Sequence, residues 1–134
     1  MKIVIDTNVL VSALLNPSGK PADILNLALN EKIVPCFDDR IIDEYRGVLS
    51  RRIFGFSQSD VDSLIAFLET SGDKVDPLPL DLFLDDMNDV KFYEVLESSG
   101  AGYLVTGNMK HFVRLRDRRI VLPADFLKAY FSKS

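Results

Sequence analysis

The chain has 134 residues, 47% of them hydrophobic and 27% charged, and this length and balance predict a single soluble domain over residues 1–134. No apolar run approaches the ~20 residues of a membrane helix, and the single cysteine excludes an intramolecular disulfide, so we expect a cytoplasmic protein without membrane contact. The net charge of −4 excludes the basic character usual for nucleic-acid-binding domains, so such a function would have to rest on local charge.

Short apolar runs alternate with helical patterns along the chain. Strands are predicted at 2–5, 32–37, 74–78, 103–106 and 120–122. Helices are predicted at 8–15 and 22–30, from Asp38 or Asp39 to Leu49, from Ser57 to Leu68, at 89–99, and from Pro123 onward. The stretch 16–21 carries prolines and a glycine, which predicts a loop. The alternation predicts an α/β fold with a mostly parallel sheet covered by helices on both faces.

Parallel sheets place functional sites beyond the carboxyl ends of their strands, near a reversal of strand order. Asp6 follows the first strand directly, inside an otherwise apolar region, and Gly107 and Asn108 follow the strand predicted at 103–106. Asp6 is either the N-cap of the next helix or a metal ligand, and the sequence leaves both interpretations open.

Glu44 is a second unusual carboxylate. It lies three positions after Ile41 and four before Val48, which places it on the apolar face of its helix or at the edge of that face. Because a buried carboxylate without a partner is costly, we expect a cation beside it. Arg51, a side chain distant in sequence, or a metal ion could be that cation.

Asp86 and Asp89 lie three residues apart at the start of a predicted helix, where each is either a cap or a ligand. Carboxylates that converge from separate elements at one end of a parallel sheet suit Mg²⁺ or Mn²⁺. The sequence places no Lys or His base in this cluster, so metal-activated hydrolysis is the mechanism it favours.

Basic residues are segregated from this acidic group. Lys110, Arg114, Arg116, Arg118 and Arg119 form one group, and Arg40, Arg46, Arg51 and Arg52 form another. They are solvated surface charge or, taken together, a surface that binds a phosphate backbone. His111 is interpreted either as a structural neighbour of Phe112 or as a phosphate contact.

Five blocks of the sequence resemble the PIN-domain family, in the branch of VapC-like ribonucleases that are toxins of bacterial or archaeal toxin–antitoxin pairs. The blocks are VIDTNVLVSA at 4–13, IDEY at 42–45, DMNDVKF at 86–92, AGYLVTGNMKHF at 101–112 and VLPADFL at 121–127. They follow the family's order and span almost the whole chain. Each block alone has little specificity, and the combination is fairly specific.

The resemblance implies a three-layer α/β/α domain with a five-stranded, mostly parallel sheet, and an acidic pocket that binds Mg²⁺ or Mn²⁺ for endonuclease action on RNA. It also implies a homodimer held inactive by a small antitoxin protein. The residues carried over as catalytic are Asp6, Glu44 and Asp89. The metal ligands would be these three with Asp86 and Asn108, and the pocket would be oriented by Thr7, Asn8 and Thr106. The nucleic acid would be bound by Lys110, His111, Arg114 and Arg46.

Two alternatives come from other functional classes. Asn108 stands where many PIN domains have an acid, and Val90 where an acid or amide is frequent, so the chain could bind RNA or a protein partner without cutting. A receiver-like signalling domain would need an Asp phosphoacceptor after the third strand and a Lys after the last, and the spacing here provides neither.

Overall fold

The computed structural model describes residues 1–132. A five-stranded sheet forms its centre, and its strands are β1 (Lys2–Ile5), β2 (Val34–Phe37), β3 (Asp73–Lys74), β4 (Tyr103–Val105) and β5 (Ile120–Val121). The spatial order is β3-β2-β1-β4-β5, and every neighbouring pair is parallel. The predicted mostly parallel sheet is therefore confirmed.

Six α-helices cover the sheet within residues 1–132. They are α1 (Thr7–Leu15), α2 (Lys20–Leu29), α3 (Asp39–Leu49), α4 (Gln58–Ser71), α5 (Val90–Ser99) and α6 (Pro123–Ser132). α5 packs on β1, β2 and β4, while α6 packs on β4 and α2. Because crossovers between parallel strands are right-handed, the helices that connect β1 to β3 lie on one face and α5 on the other. This is the predicted three-layer α/β/α fold.

The chain reverses its direction across the sheet between β1 and β4. From β1 it proceeds outward to β2 and β3, then returns through α5 to β4 on the other side of β1. Ile3 to Ile5 pair in register with Tyr103 to Val105, and the amide of Asp6 donates to the carbonyl of Val105 at 2.9 Å. The carboxyl ends of β1 and β4 are therefore side by side at the switch in strand order, where open α/β sheets bind ligands.

Burial on both faces explains why β1 is continuously apolar. Ile3, Val4 and Ile5 are at most 1% exposed, and each contributes about 1.5–3 kcal/mol through removal of apolar surface from water. Tyr45 of α3 is buried against the same strand and donates its hydroxyl hydrogen to the carbonyl of Ile5. This bond satisfies the only polar atom of the Tyr45 side chain and fixes α3 beside the end of β1.

A cluster of two buried carboxylates and one half-exposed arginine anchors the segment that leads from β3 to α5. Glu94 of α5 accepts from Arg40 at 2.8 Å through one oxygen and from the amide of Leu80 at 2.7 Å through the other. Arg40 also pairs with Asp38 at 2.7 Å, and Asp38 and Glu94 are each 5% exposed. Arg40, which the sequence placed in a basic surface group, is thus a structural side chain that positions the start of α5.

Two predicted boundaries are wrong for reasons that involve proline. The loop predicted at 16–21 ends early, since α2 begins at Lys20 with Pro21 in its first turn. Proline is tolerated there because the first N–H groups of a helix have no acceptor within the helix. The edge strand predicted at 74–78 is only Asp73–Lys74, because Pro77 and Pro79 lack the donors a strand needs.

Smaller differences lie at the ends of other elements. A 3₁₀ turn at Met87–Asp89 precedes α5, so the helix predicted at 89–99 begins at Val90. The strand predicted at 32–37 begins two residues later, and those predicted at 103–106 and 120–122 each end one residue earlier. Of the two residues predicted as alternatives for the cap of α3, Asp38 is the one that accepts from a backbone amide of the helix, and the side chain of Ser57 caps α4 in the same way.

Two observations bear on the predictions made from composition. Cys36 is fully buried in β2, as expected for a cysteine that packs as a small apolar side chain. No helix in the part of the chain described here is both long and apolar enough to cross a bilayer.

Gly72 occupies a position with no room for a side chain. A Cβ there would lie 2.6 Å from the Phe37 ring and from the carbonyl oxygen of Leu68, and 2.7 Å from that of Pro35. We expect Gly72→Ala to lower the free energy of unfolding by about 2–3 kcal/mol in urea denaturation, because two of these atoms are backbone and cannot move away.

Gly47 is the matched control for this substitution. It lies within α3 with no atom near its would-be Cβ, so Gly47→Ala should leave stability unchanged or raise it by about 0.5–1 kcal/mol through helix propensity. Equal effects of the two substitutions would contradict the packing described at Gly72.

Candidate functional site

An open pocket of about 400 Å³ lies at the carboxyl ends of β1 and β4. Its polar lining consists of Asp6, Thr7, Asn8, Ser12, Glu44, Asp89 and His111. The apolar part of its wall is formed by Val11, Val48 and Phe54. The structure therefore brings together the three carboxylates singled out in the sequence, which come from the end of β1, from α3 and from the start of α5.

Asp6 is 5% exposed, and its carboxylate accepts from two side chains as well as from the backbone of Thr7 at the start of α1. Its Oδ2 accepts from the hydroxyl of Thr106 at 2.8 Å and from the amide of Asn8 at 3.1 Å. It makes no capping bond to α1, so the N-cap interpretation loses its main support. Burial raises the pKa of Asp6 above its usual value even though these hydrogen bonds lower it.

Hydrogen bonds tie the two strand ends to each other. Asn8 accepts from the amide of Gly107 at 2.9 Å, and the Thr106 hydroxyl accepts from the amide of Asn108 at 3.0 Å. Because Thr106 and Asn8 also donate to Asp6, each bridges the carboxylate to the turn after β4. This arrangement suits the pocket-orienting role predicted for both residues.

Asp89 has a buried oxygen without a donor. The side chain does not cap α5, the residue is 8% exposed, and Oδ2 accepts no hydrogen bond. The Nδ1 atom of His111 lies 3.2 Å from that oxygen, without the alignment of a hydrogen bond. Burial, and then the charge of Asp6, raise the pKa of Asp89 to about 6. A buried acceptor left unpaired costs roughly 1–3 kcal/mol, so the site favours an external donor or cation here.

Glu44 has two partners within the protein. Its Oε1 lies 2.8 Å from the ammonium of Lys91, and its Oε2 accepts from the hydroxyl of Thr7. Lys91 is 7% exposed and also donates to the carbonyl of Asn88. The cation expected beside Glu44 is thus a side chain distant in sequence.

The expectation that no Lys or His base belongs to the cluster is wrong. Lys91 lies between Val90 and Phe92, both buried, and an ammonium in such a run is a signal that the sequence did offer. It was missed because the partner of Lys91 lies on a different helix, α3, and only the packing of α3 near α5 brings the two together.

His111 belongs to the pocket, which favours the functional interpretation of this residue. The side-chain amide of Asn108 donates to Nε2 of His111 at 2.8 Å, an assignment that leaves the ring proton on Nδ1, facing Asp89. Asn108 itself does not line the pocket, because its side chain is directed to His111. Asn108 therefore acts on the site through the histidine ring.

The remaining predicted residues lie outside the pocket lining. Asp86 is exposed, and its side chain accepts from the amide of Asn88 at 2.9 Å, which is the capping alternative. Arg114 pairs with Asp85 at 3.2 Å, and Arg46 pairs with Asp43 and with Glu69. Lys110 is exposed in the turn that carries His111 and makes no ion pair among the residues described.

A divalent cation needs oxygen or nitrogen atoms of several side chains that converge on one point. Within residues 1–132, no three Asp, Glu, His or Cys side chains converge closely enough to form a complete metal site as they stand. Mg²⁺ needs fewer, since it is usually held by one or two carboxylates together with water and substrate phosphates. Asp6 and the unpaired oxygen of Asp89 meet that requirement, so the residues present fit Mg²⁺ or Mn²⁺.

Comparisons with known proteins agree with this geometry. A family model described as PIN domain matches residues 2–110. Uncharacterized protein MJ1680 from Methanocaldococcus jannaschii is 37% identical over 121 residues, which cover 87% of this chain and 76% of that protein. A chain in the crystal structure of VapBC2 from Rickettsia felis, bound to a DNA fragment from their promoter, superposes with a TM-score of 0.57 and 18% identity. That match covers 91% of this chain and 97% of the other, and it shows a shared fold.

The raised pKa of Asp89 predicts a gain in stability when its charge is removed. Because the folded-state value of about 6 exceeds the usual 3.8, ionisation of this group costs folding free energy as pH rises through that window. Without divalent metal at about pH 8, Asp89→Asn should raise the free energy of unfolding by about 1–2 kcal/mol in urea denaturation. At about pH 3.5 the gain should vanish, since the group is protonated in both states.

Asp86→Asn is the matched control, because Asp86 is exposed and lies three residues away. We expect no comparable gain from it at either pH. If Asp89→Asn instead lowers the free energy of unfolding of the metal-free protein at about pH 8, then the ionised Asp89 carboxylate does not destabilise the fold.

Proposed function

Because the chain belongs to the PIN-domain family, we propose that it is a divalent-metal-dependent endoribonuclease that hydrolyses RNA phosphodiester bonds. PIN domains are in general nucleases. The observation that carries the proposal is the convergence of Asp6 and Asp89 in one pocket, where a buried oxygen of Asp89 accepts no hydrogen bond. Clustered, desolvated carboxylates repel each other, and a divalent cation relieves that repulsion.

Mg²⁺ or Mn²⁺ would be held by Asp6 and Asp89. Such a cation supplies Lewis acidity at a phosphodiester and lowers the pKa of water for attack on phosphorus. Hard oxygen ligands from carboxylates suit both ions, and the pocket offers no thiolate that would favour a softer metal.

The other side chains of the pocket position these carboxylates. Thr106 and Asn8 donate hydrogen bonds to one oxygen of Asp6, and the backbone of Thr7 at the start of α1 is a further donor to the same carboxylate. Thr7 donates to Glu44 and fixes this third carboxylate in the wall of the pocket. Removing any of these orienting groups should disturb the geometry rather than the charge of the site.

RNA would approach along the turn after β4. His111 lines the pocket and is fixed by Asn108, so its ring is placed to contact a phosphate beside the carboxylates. Lys110, exposed and without an ion pair, adds positive charge at the same rim. Arg114 and Arg46 are engaged in exposed ion pairs, which a phosphate can displace at little cost.

The biological role that we propose is the toxin of a toxin–antitoxin pair, with a small antitoxin protein as partner. The fold shared with a chain of VapBC2 supports this role. A homodimer is a prediction that follows from the family resemblance, and a cytoplasmic location is one that follows from the composition and the single cysteine.

One observation favours a second function, that of a PIN domain that binds RNA or a protein without cutting. Asn108, at the position where many members carry an acid, directs its amide to His111 and adds no charge to the pocket. A site with three carboxylates and no fourth could retain metal binding while turning over slowly or not at all.

Cleavage of a labelled single-stranded RNA by the purified protein tests the proposal. Mg²⁺ or Mn²⁺ should support cleavage, EDTA should abolish it, and Asp6→Asn should lower the rate by roughly a thousandfold, because the lost carboxylate is a ligand of the cation. Asp43→Asn is the matched control, since Asp43 is a carboxylate of α3 directed away from the pocket, and its rate should equal that of the wild type.

The outcomes separate the two functions. Cleavage that survives in Asp6→Asn would indicate a contaminating nuclease. No cleavage of several RNAs with either metal, together with calorimetric binding of Mn²⁺, would support the binding module instead.

Lys110→Ala tests the proposed path of the RNA. Because one phosphate contact is lost, the affinity should fall by the same factor for RNAs of every sequence. The slope of log Kd against log salt concentration should decrease by about 1, as measured by fluorescence anisotropy. Lys32→Ala serves as control, because Lys32 is exposed and precedes the amino end of β2, whereas the pocket lies at the carboxyl ends of the strands. Equal losses from the two variants would mean that binding is unspecific surface charge.

A further inference from the structure

Lys91 is a buried ammonium inside the acidic pocket region. It is 7% exposed, on α5 between Val90 and Phe92, and its Nζ lies 5.0 Å from the centre of the Phe92 ring. Removing an ammonium from water costs several kcal/mol unless a close partner compensates. Its compensation comes from Glu44 at 2.8 Å and from the carbonyl of Asn88. Lys91 itself does not line the pocket, but it places a fixed positive charge against Glu44, which does.

The hydrogen bonds divide the three carboxylates into two groups. Both oxygens of Glu44 are occupied, one by Lys91 and the other by Thr7. Asp6 and Asp89 differ, because the two side-chain donors to Asp6 share its Oδ2, with the backbone of Thr7 as a further donor to the carboxylate, and Oδ2 of Asp89 accepts no hydrogen bond at all. Oxygen available to an incoming cation therefore lies on the side of Asp6 and Asp89.

We propose that Lys91 is a positioning residue that serves as a built-in cation: it holds Glu44 where a second metal ion would otherwise bind, so that the pocket takes one divalent cation, at Asp6 and Asp89. This inference rests on the proposed function, since it assumes that the pocket binds metal. Three carboxylates, one ammonium and one divalent cation leave no net charge. A second divalent cation would leave an excess of positive charge in a partly buried site, which is unfavourable.

Lys91 also keeps Glu44 in place when no metal is bound. Without a partner, a carboxylate at the edge of an apolar helix face would turn outward to water. With Lys91 and Thr7 as partners, Glu44 keeps one position whether or not metal is present. The structure thus assigns to Lys91 control over both the number of ions and the orientation of one carboxylate.

Calorimetric titration of the protein with Mn²⁺, without RNA, tests the number of ions. The wild type should bind one Mn²⁺ per chain, and Lys91→Met, which keeps the length of the side chain and removes its charge, should bind two. Lys91→Arg should bind one, because it restores the charge. In the background of Lys91→Met, Glu44→Gln should return the number to one, since the second site needs that carboxylate.

Thermal melting supplies a second measurement for variants whose folding is weakened. Mn²⁺ should raise the melting temperature of Lys91→Met by more than that of the wild type, because the second ion replaces the lost ammonium. If Lys91→Met does not fold, Lys91→Gln takes its place, because it also lacks the charge and retains a hydrogen-bond donor. Mn²⁺ should then raise the melting temperature of Lys91→Gln by more than that of the wild type.

The outcomes distinguish this inference from the proposed function. A wild type that binds one Mn²⁺ and uncharged Lys91 variants that also bind one would overturn the role of Lys91 and leave metal-dependent cleavage intact. A wild type that binds two ions would overturn it as well. A wild type that binds none would refute the metal site itself, and with it both proposals.

Discussion

The parallel pairing of β1 with β4 is the constraint on which the site depends. It brings Thr106 to Asp6, residues 100 positions apart, and a hydrogen bond of 2.8 Å between their side chains closes the contact. The reversal of strand order at this pair leaves a crevice beyond the strand ends, because the connecting helices depart to opposite faces. α3 and α5 then place Glu44 and Asp89 at that crevice. A different neighbour for β1 would leave Asp6 as an isolated buried acid.

Gathering acids in this crevice stores unfavourable electrostatic energy. Asp6 and Asp89 both have raised pKa values, for which burial is the main cause. The charge of Glu44 also raises the pKa of Asp6, and the charge of Asp6 raises the pKa of Asp89. The protein offsets part of this through Lys91 and through neutral donors such as Thr106, and leaves one oxygen of Asp89 uncompensated. Such a residual imbalance is typical of sites that bind a charged ligand, because ligand binding then releases the stored energy.

The acidic net charge of the chain does not conflict with action on RNA. Two of the three acids of the site are buried, whereas His111 lines the pocket, is fixed by Asn108 and follows the exposed Lys110 in the same turn. Electrostatic recognition of a phosphate backbone depends on the local potential, and a divalent cation in the pocket would add to it. The fold provides the scaffold, and a few side chains decide what the site recognises. Family membership therefore supports the class of reaction better than it supports the identity of the RNA target.

The sequence by itself determined the alternation of strands and helices, the helix caps at Asp38 and Ser57, and the acids that stand out in apolar surroundings, because all of these are local patterns. It also indicated Asp6, Glu44 and Asp89, since each is a carboxylate where the periodicity demands an apolar or capping residue. Only the tertiary structure decided which partners these acids have. The pairing of Glu44 with Lys91, and the engagement of Asn108 with His111 instead of with the pocket, depend on side-chain positions that no local pattern fixes. The length of β3 was likewise decided by prolines and sheet-edge pairing, because a two-residue strand gains its hydrogen bonds from β2 and not from its own sequence.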